Sequence, residues 1–245
     1  MKKLLLCCVL FAYAGLFSKN ILLSVPRSGS HWLLYGVGFL CLEPFSNDFL
    51  YARGKNCNHS SNFANPFGLD IDESKPPFLV RTHRSSHVQK QRKTQNKLIL
   101  IVRNPLESLV SRKKFHKSAQ PNVINRENLD YYLNYLRVFD SWNKKNRLLV
   151  YYEDLIEEPQ RVFEEILVFL GKPLDRMELF FQDYDYYRET AMNAYSNHFN
   201  YGAVSNGEVL YHSKKVKKKN ASFVKEFLQD SEPEIYFDYL SRYFN

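Results

Sequence analysis

The run Leu98-Ile99-Leu100-Ile101-Val102 constrains the fold of this chain more than any other stretch. Consecutive apolar residues without alternation suit a strand covered on both faces, whereas a strand with one face in water would alternate apolar and polar. Ile21-Leu22-Leu23, Phe78-Leu79-Val80 and Leu148-Leu149-Val150-Tyr151-Tyr152 repeat the pattern. Helical signals lie between these runs. Glu107 to Phe115 begins just after Pro105, and Glu127 to Trp142 places Leu129, Leu133, Leu136 and Phe139 on one face. Pro159 to Leu170 opens on a proline and stops at Gly171, the usual start and stop of a helix. Alternating strands and helices predict an α/β fold with a mostly parallel central sheet flanked by helices. Glu43 to Pro77, rich in Asn, Ser, Gly, Pro and aromatics without period, reads as a long surface excursion.

In parallel sheets, ligands bind beyond the carboxyl ends of the strands. Here those ends are followed by Pro26 to Trp32, Arg81 to Arg84, Arg103 to Pro105, and Glu153-Asp154. The first is a strand-to-helix turn, Pro26-Arg27-Ser28-Gly29-Ser30-His31-Trp32. Unpaired backbone N–H groups and the positive end of the helix dipole make such a turn an anion site. Gly29 permits close backbone approach, Ser28 and Ser30 add hydroxyls, and Arg27 adds a cation. The patterns G-x-x-x-x-G-K-[ST] and G-x-G-x-x-G are both missing, so neither an ordinary ATPase nor a dinucleotide enzyme is supported. Arg103, with Ser108, Ser111 and Arg112 on the helix that follows, can hold a second phosphate from two sides. Two anion sites on one sheet edge suit a nucleotide with separated phosphates.

The length of 245 residues suits one domain with a substantial core. A net charge of +8, from 34 Lys and Arg against 26 Asp and Glu, agrees with an anionic partner. Cysteines at 7, 8, 41 and 57 lack zinc-site spacing and make no disulfide framework. Residues 1–18 read as a signal peptide or a hydrophobic N-terminal segment, with a basic start, an apolar run from Leu4 to Leu16 and the small-x-small triplet Ala12-Tyr13-Ala14. If Met1 to Ala14 acts as a signal, the protein is secretory or membrane-associated; otherwise it is cytoplasmic. Membrane contact is expected only through this segment. Residues 19–245 form the single expected domain.

Those motifs resemble the sulfotransferases that use 3′-phosphoadenosine 5′-phosphosulfate (PAPS). Pro26-Arg27-Ser28-Gly29-Ser30-His31-Trp32-Leu33 is similar to their 5′-phosphosulfate loop, P-K-S-G-T-T-W-L, and Arg81-Thr82-His83 to their K-T-H segment. Val102-Arg103-Asn104-Pro105 through Val110-Ser111 and Phe115 resembles their 3′-phosphate motif, and Tyr152-Glu153-Asp154-Leu155 their Y-E-D-L segment. The resemblance implies a P-loop NTPase-like sulfotransferase fold, PAPS as co-substrate and no metal. It implies that Arg27, Ser28, Gly29 and Ser30 hold the 5′-phosphosulfate, with Arg27 steadying the leaving group. Trp32 and Tyr152 would contact the adenine, Arg103 and Ser111 the 3′-phosphate. His83 would act as general base, a task suited to imidazole.

Three departures stand out. Arginine replaces lysine at Arg27, so it can neutralise the leaving phosphate but is a poor proton donor. His31 replaces a hydroxyl residue, which makes it a donor contact or a second candidate base. The C-terminal R-K-G-x-x-G segment has no clear copy; Lys214, Lys215 and Lys217 to Lys219 stand in the same region, with Lys215 and Lys217 the expected substitutes. Aromatic-rich Phe180 to Tyr201 and the excursion from Glu43 to Pro77 would shape a pocket for a small-molecule or glycan acceptor. The alternative is a non-catalytic module binding nucleotide or polyanion, with the lysine cluster as its contact. Nucleic acid is not expected, because base-stacking aromatics are not interleaved with the lysines. A small-molecule kinase would need magnesium ligands that the sequence does not offer.

Overall fold

The computed structural model describes residues 20–26, 28–47, 67, 70, 77–92, 96–116, 124–198 and 218–244. Five parallel strands form its sheet: β1 (Asn20–Ser24), β2 (Phe45–Asn47), β3 (Leu79–Thr82), β4 (Lys97–Val102) and β5 (Arg147–Tyr151), in the order β2-β3-β1-β4-β5. The runs of β3, β1 and β4 occupy the middle of this sheet, where both faces are covered, whereas Leu148 to Tyr151 belongs to the edge strand β5 and, Val150 apart, is only half-buried, contrary to the reading of that run as a strand covered on both faces. Ile21 and Leu23 of β1, with Leu98, Leu100 and Val102 of β4, enter one core. Leu22, Ile99 and Ile101 point the other way into a second, as the twofold period of a strand requires.

The first core is capped by α4 (Arg126–Asp140) and α9 (Lys218–Ser231), the second by α1 (Ser30–Cys41), α6 (Pro159–Leu170) and α7 (Met177–Gln182). The remaining helices are α2 (Ser85–Gln91), α3 (Pro105–His116), α5 (Tyr152–Glu157) and α8 (Tyr184–His198). Local chemistry fixes several boundaries. Asn125 caps α4 by accepting from the Asn128 N–H at 2.9 Å. Pro159 starts α6, and Gly171, at φ 71°, ends it with its N–H turned back to the Leu167 and Val168 carbonyls. Short turns over Pro233–Ile235, Tyr236–Leu240 and Ser241–Tyr243 close the described chain against β5 and α5.

Two further expectations are corrected. Glu43 to Pro77 is not wholly a surface excursion, since Phe45–Asn47 pairs with Leu79–Arg81 as the edge strand β2. Its anchor is the buried Phe45 ring, which fills the space a side chain at Gly38 would need and packs on Tyr35; a strand of three residues is too short to leave a periodic trace. Membrane contact through the N-terminal segment is the second. Among the described residues no helix is long and apolar enough to cross a membrane. Leu4 to Leu16, as a helix, reaches only about 20 Å against a hydrocarbon layer of about 30 Å. Residues 1–18 themselves, and most of 48–76, lie outside the described part.

Candidate active site

The carboxyl ends of β1, β3, β4 and β5 lie along one edge of the parallel sheet, where Ser28, Ser30, Arg81 and Arg103 are buried and His83 is half-buried. Gly29 caps α1 in the left-handed conformation, φ 75° and ψ 12°. A Cβ at this position would lie 2.4 Å from the Tyr152 ring, so both backbone and packing demand glycine. Ser28 is fully buried and donates its hydroxyl to the Val25 carbonyl at 2.6 Å, which tightens the turn from within. Ser30, also buried, accepts from Arg81 Nε at 2.8 Å. The first turn of α1 thereby meets the end of β3.

Arg81 also donates to Nε2 of His83. On the other side of that ring, Nδ1 lies 2.7 Å from the Ser24 carbonyl and 2.9 Å from the Ser24 hydroxyl. A carbonyl only accepts, so Nδ1 carries the hydrogen and Nε2 keeps a lone pair. The tautomer is thus set by β1, and the basic nitrogen faces the arginine and the α1 turn. The main-chain carbonyl of His83 is held in turn by the Tyr135 hydroxyl at 2.7 Å.

On the other flank of β1, the Arg103 guanidinium is 6% exposed and donates twice to Glu107, at 2.7 and 3.1 Å. It also lies 4.8 Å from the centroid of the Tyr152 ring. Tyr152 is therefore wedged between Gly29 and Arg103 and touches both anion cradles. A second tie is shorter still: Ser108 donates to the Pro26 carbonyl at 3.0 Å, joining α3 to the β1 turn. Ser111 lies buried one turn further along α3.

Behind Arg103 the loop is braced by groups that stay polar and paired. Glu153 accepts from the Asn104 N–H at 2.9 Å and from the Tyr243 hydroxyl at 2.8 Å. Tyr132 donates to the Arg103 carbonyl at 2.7 Å. Burial, with Glu153 and Tyr151 nearby, pushes the Tyr132 phenol well above its ordinary value, against the pull of that hydrogen bond. Burial, then Tyr132 and Glu153, pushes Tyr243 the same way. Both hydroxyls accordingly remain donors. Asp154 takes both Arg242 nitrogens, at 2.6 and 3.1 Å, and fastens the C-terminal turns to α5.

A sulfotransferase domain model matches residues 18–240. The chain belongs to the sulfotransferase domain family. It is 27% identical over 178 residues to sulfotransferase 2A1 of Rattus norvegicus, covering 65% of this chain and 61% of that protein. The 3-beta-hydroxysteroid sulfotransferase of Cavia porcellus is 25% identical over 199 residues, covering 72% and 68%. The chain thus spans less than two thirds of the rat protein's length. Among solved structures, a retinol dehydratase in complex with retinol and PAP aligns with a TM-score of 0.50 at 14% identity, over 87% of this chain and 82% of that one. That likeness bears on the fold, which is the α/β sulfotransferase fold.

Within this domain Ser28, Gly29 and Ser30 follow β1, His83 follows β3, Arg103 follows β4, Tyr152 follows β5, and Ser111 lies buried on α3. Arg27, Lys215 and Lys217 lie outside the described residues. Trp32 sits elsewhere. Its ring is 4% exposed among Phe163, Phe180 and Tyr184, and its Nε1 donates to the Tyr184 hydroxyl at 3.1 Å. Phe180 and Tyr187 of the aromatic stretch expected to border an acceptor stack on each other and pack on Phe39 of α1. His31 occupies the first turn of α1 beside Ser30. Arg81 is the site residue to which no role had been given from sequence. Its signal was present in the Arg81-Thr82-His83 triplet, where a cation stands two residues from the histidine, on the same side of the strand.

Proposed function

We propose that the protein transfers a sulfuryl group from PAPS to an acceptor hydroxyl or amine. The observation that carries this reading is the Tyr152 wedge: one ring in contact with both Gly29 and Arg103 brings two anion cradles together on one rim, with His83 alongside. The donor set suits a ligand with two anionic ends. Main-chain N–H groups at the start of α1, Ser30 and Arg81 face one end, and Arg103 with Ser111 faces the other. PAPS supplies the activated sulfuryl group; the chain's own task is to align, neutralise and move a proton.

His83 takes that proton at Nε2, because Ser24 holds the hydrogen on Nδ1. Arg81, now donating to Nε2, must give up that contact before the lone pair is available. The anionic end of the donor offers it another partner, so occupation of the cradle and release of the base are coupled. By the resemblance of its motif, Arg27 would add a cation for the leaving phosphate. The similarity to a 3-beta-hydroxysteroid sulfotransferase makes hydroxysteroids the first acceptor class to try.

Calorimetry with adenosine 3′,5′-bisphosphate, and labelled PAPS offered with hydroxyl- and amine-bearing acceptors, test the proposal. The bisphosphate is expected to bind, and His83→Ala to lower turnover about 10²–10⁴-fold while still binding it. An unbound bisphosphate, or a variant as active as the wild type, overturns the reading.

A further inference from the structure

Two tyrosines on α4 carry an inference that rests on the sulfuryl-transfer reading and extends it to how the site is held. Tyr132 and Tyr135 are fully buried, and each donates its hydroxyl to the main-chain carbonyl of a different strand end. Tyr132 takes Arg103 and Tyr135 takes His83, both at 2.7 Å. Residues three apart lie on one side of a helix, about 4.5 Å apart along its axis. Their targets follow β4 and β3, the two strands flanking β1, roughly 9–10 Å apart across the sheet. One helix face therefore fastens the anion-binding arginine and the histidine from below.

The His83 end has further support. Asn134 donates to the Ser85 hydroxyl at 2.6 Å, at the start of α2. The Tyr131 hydroxyl lies 2.6 Å from that of Tyr135. Because Tyr135 spends its hydrogen on His83, Tyr131 donates to Tyr135, and the two hydroxyls form a chain that polarises toward the carbonyl. A fixed carbonyl fixes its peptide plane, and with it the direction in which the side chain leaves the backbone.

We infer that Tyr132 and Tyr135 are positioning residues with separate duties, Tyr132 setting Arg103 for the 3′-phosphate and Tyr135 setting His83 for proton transfer. Phenylalanine keeps each ring and its packing but removes the hydrogen bond to the carbonyl. Were the hydroxyls merely stabilising, the two substitutions would act alike on every property.

Tyr132→Phe and Tyr135→Phe would be compared by melting temperature, calorimetry with adenosine 3′,5′-bisphosphate, steady-state kinetics, and nitrogen-15 NMR of the Arg103 Nε–H and His83 Nδ1–H groups in the ligand-free protein. In Tyr135→Phe, turnover falls about tenfold and the His83 signal moves, while bisphosphate affinity stays within about twofold. In Tyr132→Phe, affinity falls about tenfold and the Arg103 signal moves, while turnover at saturation stays within about twofold. Parallel losses in both variants, or no change in either, overturn the inference. Should the wild type bind no bisphosphate, the sulfuryl-transfer reading fails, and NMR still decides the positioning: each signal moving only in its own variant upholds it, and both moving together or neither moving refutes it.

Discussion

At the β1 and β3 ends, Arg81 donates to two neutral acceptors, the Ser30 hydroxyl and the His83 ring; at the β4 end, Arg103 donates twice to the Glu107 carboxylate. An anion arriving at the first cradle meets a cation that a hydroxyl and an imidazole hold in place. At the second it must share the arginine with Glu107 or displace it. Rigidity is distributed the other way. Around Arg103, the Tyr152 ring, the Tyr132 hydroxyl and the Glu153–Asn104 contact fix side chain, carbonyl and loop, whereas the β1 turn bends through the left-handed Gly29 and is tied by the Ser28 and Ser108 hydroxyls. The donor-rich cradle thus relies on a backbone conformation that the carboxylate-paired cradle does without.

Gly29→Ala gives the largest expected effect, because it attacks the backbone-held side directly. A left-handed alanine costs about 1–2 kcal/mol, and forcing a methyl against Tyr152 adds about 1–3 kcal/mol. Melting temperature and bisphosphate affinity should both fall. Pairing it with Tyr152→Ala, which opens the space but leaves the backbone strain, should recover part of the loss. No recovery would mean that φ alone demands the glycine and that the wedge contributes nothing.

Much of this frame was legible because the relevant signals are local. Continuous apolar runs announced β1, β4 and β5, and Pro159 with Gly171 bracketed α6 to the residue. The order of the four motifs pointed to the rim. What could not be read depends on distant partners: β2 exists because Phe45–Asn47 pairs with Leu79–Arg81, and the duties of Tyr132 and Tyr135 lie with carbonyls 29 and 52 residues away. On the sequence, both look like ordinary core aromatics of an amphipathic helix. Trp32 shows the converse. A tryptophan in a motif invites a ligand role, yet its ring and its indole N–H are spent on Phe163, Phe180 and Tyr184, more than a hundred residues further along the chain.

Alkaline titration should separate the two sides next. Tyr132, Tyr151 and Tyr243, near Glu153 behind Arg103, and Tyr239, beside Asp140 and Arg147, have phenols pushed up, each chiefly by burial. The unfolded chain releases these protons near pH 10, so the stabilisation is complete below that value. It is lost as pH rises through the folded values, by up to about 1.4 kcal/mol per pH unit for each phenol. Melting temperature should therefore hold to about pH 10 and then drop, with a shallower drop in Tyr243→Phe. An unchanged slope in that variant would remove Tyr243 as a brace of the Glu153 contact.

Glu107→Gln is the smallest expected effect and the most direct test of the contrast. Glu107 is one-third exposed while Arg103 is buried, so their pair contributes about 0.2–1 kcal/mol, and an incoming phosphate must compete with it. Glutamine can still accept from Arg103, and the Tyr152 ring still holds the guanidinium in place. Removing the charge therefore lowers the competition without releasing the side chain. Affinity for adenosine 3′,5′-bisphosphate should rise about two- to fivefold, with the gain shrinking at high salt. Affinity for adenosine 5′-phosphosulfate, which lacks the 3′-phosphate, should not change. Weaker bisphosphate binding would instead make Glu107 part of the cradle, a group that aims Arg103 rather than one that contests it, and the two cradles would then differ in rigidity alone.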